Sequence, residues 1–417
     1  MANVLLDHSL TTSTAAEGTY AVPGTLGGGL EWLESSKLDQ DPAPIQGAGL
    51  RQGSKFDRAD RRVPGISRVT GALNLEVVSK GLGKLFGYGF GTGVSTNVSG
   101  ALYQELFTAT TSTPVMPSFT VQEGIVALDG TIHAFTTAGC TVKSLELAQP
   151  QTGPMSVKFD IDGRYKHRLR SVTDSVTNST TLLTSATANF GWNDIGRPIS
   201  GTNIAAATTI AAVLSPTNIT LSQVASGTGS GGTISIGTAY TAPTYPATPS
   251  IYSNALPAAG AVVIGGTYTA PTTTALASIS SGITGVGLRS WTFQLDNGLD
   301  TKRDVVGGRN NPVTGKRKGT LTMVWEYDSV TGAYLADAQA SQQDLPIILT
   351  STTTEQITTG NPATAQLSAA VINLDSGAFP QPTKGDTTVT TVKATILDGL
   401  VAGQACYFAM RTADTAL

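Results

Sequence analysis

Charge is scarce in this 417-residue chain. Lys and Arg number 26 and Asp and Glu 29, together 13% of residues, against about 25% in an average domain. That scarcity excludes disorder driven by self-repulsion and a coiled coil, which needs abundant Glu, Lys and Leu in heptads. A net charge of −3 excludes a domain-wide basic footprint for nucleic acid. Two cysteines, Cys140 and Cys406, cannot make a disulfide framework and are expected to be buried free thiols. No run reaches the length of a membrane-spanning helix, so no membrane anchor is expected. The opening MANVLLDHSLTTST lacks the basic and apolar stretches of a secretion signal, so folding in a cytoplasm is expected.

Catalytic chemistry is equally thin. The three histidines, His8, His133 and His167, have no Cys or Asp at metal-ligating spacing and read as packing or surface residues. G-x-S-x-G does not occur, which removes the nucleophile-elbow signature. Aromatics at 6% speak against a sugar-cleaving groove lined by rings around a carboxylate pair. Gly227, Gly229 and Gly232 fit G-x-G-x-x-G, but the following TISIG reads as strand rather than phosphate-binding helix, so a flexible loop is expected. Asp160-Ile161-Asp162-Gly163 opens like a calcium loop without the closing Glu and reads as a hairpin turn. No enzyme, metal or cofactor is expected.

What the chain has is Gly (47 residues), Thr, Ser and Ala in short alternating runs, which means β structure. A weak internal repeat organises it. RRVPGISRVTGALNLEV (61–77) and RNNPVTGKRKGTLTMVW (309–325) match at an offset of 248: Arg61 with Arg309, Pro64 with Pro312, Gly71 with Gly319, Leu73 with Leu321. Upstream, LESSKLD (33–39) matches LDNGLD (295–300). Downstream, Val157-Lys158 to Asp162-Gly163 matches Val392-Lys393 to Asp398-Gly399. Each half predicts a period-two strand (71–77, 319–325) and then a short helix, Ser79–Phe86 or Ser329–Ala340, the latter capped by Asp328 or Ser329. Further strands are expected at 119–126, 140–147, 155–161, 345–351 and 388–396. The glycines from Gly87 to Gly93 read as a helix stop and mobile loop. Between the halves, 171–284 carries only Asp174, Asp194 and Arg197 as charged residues and reads as an inserted β module. The expected fold is therefore mainly β: domains at 1–170 and 285–417, each a sandwich or barrel with a short flanking helix, and a small β module at 171–284.

The few cations are clustered. Arg51, Lys55, Arg58, Arg61, Arg62 and Arg68 crowd one Gly/Pro-bearing loop, and Lys302, Arg303, Arg309, Lys316, Arg317 and Lys318 crowd its counterpart. Such pairs of charged loops fit registration against neighbouring subunits or rings, since charged rims set orientation more than affinity. Solvated loops and phosphate binding are the other two readings.

The Gly-x-Leu-x-Leu/Met strand followed by a short helix, together with MPSFTV (116–121), resembles the major tail tube proteins of long-tailed bacteriophages. The segment 182–222 resembles a β module of actinobacterial phage tail proteins. The resemblance implies a structural virion protein whose β sandwiches form rings with inner strands joined into one barrel. It implies stacked rings of the same protein as the conduit for genome ejection, with an electronegative bore through which DNA passes without specific binding. It also implies tape measure and tail terminator or tip proteins as partners, and assembly in the host cytoplasm. Two domains per chain favour a trimeric pseudo-sixfold ring over a homohexamer, with the inserted module on the tube exterior. A β-modular surface adhesin or tail fibre is the alternative that composition allows.

Overall fold

In the computed structural model the described residues are 8–42, 44–49, 56–63, 65, 68–110, 115–252, 261–285, 287–301, 311–380, 388–399 and 404–417. The chain is mainly β, with two α-helices. Its backbone is one eight-stranded antiparallel sheet. In order across that sheet run Lys37–Asp41, Arg68–Glu76, Ser156–Gly163, the second part of Ile132–Gln149, Leu288–Asp296, Lys318–Glu326, Val389–Ile396 and the end of Asn361–Ser376. Alternation explains the pairing. In Lys318–Glu326 the buried set is Gly319, Leu321, Met323 and Trp325, and a strand with one apolar face must lay it on a second layer.

Two long strands make that second layer by bending. Ile132–Gln149 changes register at Thr137–Cys140 and Val142–Ser144, and its first part turns away to pair with Phe119–Val126 and Tyr165–Arg168. Ser9–Ser13 and Leu26–Gly29 extend that layer. The first part of Asn361–Ser376 likewise pairs with Leu345–Thr358 and Gln404–Thr412. Leu102–Thr110 and Gly93–Ser99 continue beyond Gln404–Thr412. Bulges of this kind re-aim a strand and increase its twist.

The repeat is written into the register. Gly71 faces Ile161, Leu73 faces Phe159 and Leu75 faces Val157. Gly319 faces Ile396, Leu321 faces Ala394 and Met323 faces Val392. On the other side, Leu38 faces Gly71 and Leu295 faces Gly319. The upstream match is thus Leu38-Asp39 with Leu295-Asp296, the first Leu-Asp of LDNGLD rather than the last. At Gly71 a Cβ would sit 1.8 Å from the Lys37 carbonyl oxygen, so only glycine lets Lys37–Asp41 approach this closely.

The helices begin at the same offset of 248, at Gly83 and Thr331, and run Gly83–Phe90 and Thr331–Ala340. The first lies four residues later than its pattern predicts. Its Gly87 and Gly89 are buried helical residues, small because the helix is sunk against strands on several sides. The stop is Gly91, left-handed at φ 92°, the conformation that glycine adopts without a Cβ penalty. The second helix has its cap where expected: the Asp328 carboxylate accepts the amides of Val330 and Thr331 at 2.7 and 2.6 Å.

Residues 170–236 form a separate six-stranded sheet with its own buried cluster, including Leu183, Ile219, Ile234 and Ile236. Gly227, Gly229 and Gly232 lie at or in its strand Thr228–Ile236, not in a loop. Asp160–Gly163 is also strand, not turn. The boundary expected at 284 does not coincide with this sheet, because 239–252 and 261–284 run back along the main body. There Tyr252, Val262 and Ile264 join the large core, and Val262–Ile264 pairs with Leu345–Thr358.

The first helix is the hub of that core. Phe86 lies 5.6 Å from Phe107, 5.7 Å from Phe159 and 4.7 Å from Phe408, centroid to centroid. Phe90 stacks on Phe293 at 6.2 Å and on Phe408 at 6.1 Å. One short helix therefore touches strands from both halves. Phe86→Ala is expected to lower stability by about 3–5 kcal/mol, read as a fall in the urea midpoint. A stability loss under about 1 kcal/mol would show that the cluster is not the hub.

Candidate assembly surface

The basic clusters sit on equivalent loops. Residues 42–67 connect Lys37–Asp41 to Arg68–Glu76, and 297–317 connect Leu288–Asp296 to Lys318–Glu326. Every neighbouring pair in the sheet is antiparallel, so strand direction alternates and both loops leave from the same end. Their cations are not equivalent in state. Arg58 pairs with Asp60, and Arg61 donates to the Gly49 carbonyl at 3.0 Å. Arg62 is exposed in the two-residue strand Arg62–Val63. Lys316 and Lys318 are exposed as well.

Two of the predicted contact residues are engaged inside the chain instead. Arg68 donates to the buried Asp162 at 2.9 Å. Arg317 donates to Asn297 Oδ1 at 2.9 and 2.6 Å and to the Phe90 carbonyl at 2.7 Å, closing the end of the first helix. Cations favour that helix terminus. Arg51, Lys55, Lys302, Arg303 and Arg309 lie outside the described residues.

What sequence reading does not locate is which strands form the sheet edges. Lys37–Asp41 is bonded to Arg68–Glu76 on one side; on the other, among the described residues, it has no strand. The Leu38 carbonyl there accepts the Lys166 ammonium at 2.8 Å. A groove of about 270 Å³ runs beside it, lined in part by Leu10, Trp32, Leu38 and Lys166. At the far edge, residues 373–376 pair with Val389–Ile396 on one side, and among the described residues no strand flanks 374–376 on the other. KLDQD buries only Leu38 and so reads as polar loop. The one signal was the recurrent Leu-Asp.

A family model described as phage tail tube protein matches residues 11–239, over half of the chain. The match runs from the first described strand to just past the six-stranded sheet. The chain belongs to the phage tail tube protein family. A search of curated proteins finds no match. The family is a structural one, which places the tail tube protein among virion tail components rather than enzymes. No described helix is long and apolar enough to cross a membrane.

The buried polar groups of the tail tube protein fit structural duty. The Glu17 carboxylate accepts from Ala21 N, Ser118 Oγ, Thr120 Oγ1 and Gly139 N at 2.8–2.9 Å, pinning the N-terminal loop to the corner of Ile132–Gln149. Burial raises its pKa although all four bonds lower it. Asp194 binds both Arg170, at 2.7 Å, and Arg197, at 2.8 Å, at the base of the six-stranded sheet. His167 is buried there, and desolvation first, then Arg197, holds it well below the usual imidazole range, so its ring is a neutral packing group. No described group of three or more His, Cys, Asp or Glu is placed to hold a metal.

Glu105 is the outlier. It is 2% exposed, against Gly83 at the start of the first helix, and its Oε1 has no partner among the described residues. Burial, and secondarily Asp414, push its carboxyl up to about 8 from 4.5. The folded state therefore keeps this proton up to about pH 8 while the unfolded state releases it near 4.5. Between those values the folded state binds more protons, so stability falls as pH rises, on the order of 1.4 kcal/mol per pKa unit. Glu105→Gln is expected to flatten the decline in urea midpoint between pH 5 and 8 and to stabilise the protein at the alkaline end. An equal decline in the variant would remove Glu105 as its source.

Proposed function

We propose that the chain is the repeating unit of a long-tailed phage's tail tube, polymerising into rings that stack into the conduit for genome delivery. One observation carries this reading: the eight-stranded sheet has its apolar face covered, its other face polar, and, among the described residues, both edges open. Open edges are templates for further strands, and closing a curved sheet on itself removes them. The covered face must then look outward, since its second layer lies there, and the polar face lines the bore. The connections that carry the basic clusters leave from one end of the sheet, where the next ring docks.

The division into 1–170, 171–284 and 285–417 enters this proposal in altered form. Residues 170–236 are the exterior module, and 239–252 and 261–284 are part of the tube body. Arg170 faces Ile236 across adjacent strands, so the module leaves and rejoins the body at neighbouring points. A passive exterior position follows from its bulk, which would obstruct a bore. The segment 182–222 is what supports an actinobacterial host. Tape measure, tail terminator and tip proteins are the partners such a tube requires, with assembly in the host cytoplasm.

Negative-stain microscopy of the purified protein tests the function: rings or hollow tubes are expected, and isolated elongated particles would refute it. Replacing 171–236 by a short Gly-Ser linker should leave tubes of smaller outer diameter. Loss of tubes from a folded truncated chain would give the module a role in polymerisation. Reversing Arg61 and Arg309 together to Glu should lower tube yield about tenfold with little change in the thermal midpoint. Undiminished tubes would remove the loops from ring registration.

A further inference from the structure

Three buried polar side chains stand in one row across the second layer of the first half. Thr136 faces Gln122 on one side and His167 on the other, directly opposed in antiparallel pairs, so the three project from one face of the sheet. Gln122 and Thr136 are 0% exposed and His167 is 4% exposed. Gln122 Nε2 donates to Thr136 Oγ1 at 3.1 Å. The chain just after the inserted module holds the same amide at both ends: Nε2 also donates to the Ala239 carbonyl at 2.9 Å, and Oε1 accepts the Thr241 amide at 2.8 Å. Among the described residues neither His167 Nδ1 nor Nε2 has a partner. Burying a polar ring with both nitrogens idle costs free energy, and its place beside a hydroxyl and an amide supplies a reason to keep it.

We propose that Thr136 and Gln122 condense into an ester within the chain, with His167 carrying the proton. Thr136 Oγ1 attacks Gln122 Cδ and gives its proton to the imidazole, which passes it to Nε2. The Oγ1–Cδ bond forms, the Cδ–Nε2 bond breaks and one ammonia leaves, so the atoms balance without a further reactant. A hydroxyl beside a base is how such nucleophiles are activated. The Thr241 N–H already sits on Oε1, the oxygen that gains negative charge during attack, which is where a donor helps most. Burial keeps the ring neutral, the form that can accept a proton, and it excludes the water that would hydrolyse the product. The reaction happens once per chain and is a maturation step, not turnover. Its product staples Phe119–Val126 to Ile132–Gln149 beside Tyr165–Arg168, just before the chain enters the module at Arg170.

The second half holds an internal control. In the equivalent hairpin Thr350 faces Gln366, and Gln366 Nε2 donates to Thr350 Oγ1 at 3.2 Å. This amide too is held at both ends, by the Ala277 carbonyl and N–H. On the other side of Thr350, however, stands Ala261, whose carbonyl accepts the Thr350 amide at 2.7 Å. An alanine occupies the place that His167 takes in the first half, so this Thr–Gln pair should stay unreacted.

Intact mass spectrometry of the full chain should read one ammonia, about 17 Da, below the sequence mass. Proteolysis after Glu123 should leave the peptides that carry Gln122 and Thr136 joined, and hydroxylamine should part them. A parent chain at its full sequence mass, or one whose two peptides separate without hydroxylamine, would overturn the ester. Thr136→Val and His167→Phe, folded by thermal midpoint, should each show the full mass of its own sequence and no linked peptides. Linkage persisting in Thr136→Val would overturn the nucleophile, and linkage persisting in His167→Phe would overturn the proton carrier. Should His167→Phe fail to fold, the parent decides that role. Linkage confined to the first pair supports the imidazole, and a second lost ammonia with Thr350 joined to Gln366 would overturn it.

Discussion

Backbone hydrogen bonding across the sheet is the constraint that orders everything else. A strand's amides and carbonyls must find partners, and six of the eight strands find them on both sides within the chain. The pairing of residues 144–149 with 291–296 decides the outcome. It turns two four-stranded halves into one surface, aligns their apolar faces over a common core, and fixes strand direction so that both long basic loops emerge at one end. The same pairing leaves the sheet with a first and a last edge that no strand among the described residues covers. The open edges are thus a consequence of how the halves join, not a separate device.

Packing reinforces the seam from beneath. The first helix reaches from the first half's Phe159 to the second half's Phe293 and Phe408, so parting the halves would expose large aromatic area. Its end is tied by Arg317, whose donors go to Asn297 Oδ1 and the Phe90 carbonyl, while Asn297 Nδ2 reaches the carbonyls of Gly89 and Val142. Helix, loop and seam are joined there by bonds that a solvent-facing arginine would not make. Within the second basic cluster, then, one cation stabilises the body while its neighbours Lys316 and Lys318 stay exposed. Net charge in a loop does not separate these roles; only the geometry does.

Much of this was legible in the residues, and the failures have physical causes. Period-two alternation marks 319–325 and 388–396 because in those strands buried residues alternate with more exposed ones. Ser9–Ser13 and Gln404–Thr412, in the second layer, were missed, as was the hairpin at 93–110. Gly83–Phe90 was misplaced by one turn because glycine normally ends a helix, whereas here Gly87 and Gly89 allow close packing. Residues 239–284 read as module because their Thr, Ala and Pro match the preceding composition, yet they donate Tyr252 and Ile264 to the core. Composition reports solvent exposure poorly when a segment lies flat along a body. The edges were hard to locate for a further reason: an unpaired edge is a property of topology, and KLDQD carries only the recurrent Leu-Asp as a mark of its place.

The scarcity of charge acquires a meaning in this geometry. On the open face three cations are matched within their own strand or by the next, Lys37 with Asp39, Lys158 with Asp160 and Arg289 with Glu326, while Lys318 and Lys393 are exposed. Exposed pairs of this kind contribute little to stability. This face carries charges of both signs at close spacing. A polyanion binds by releasing counterions to unpaired cations, and lysines already matched to carboxylates offer few. In the proposed bore, smooth passage would come from local neutralisation rather than from bulk repulsion, which also leaves ring closure free of the self-repulsion that a strongly acidic lining would impose.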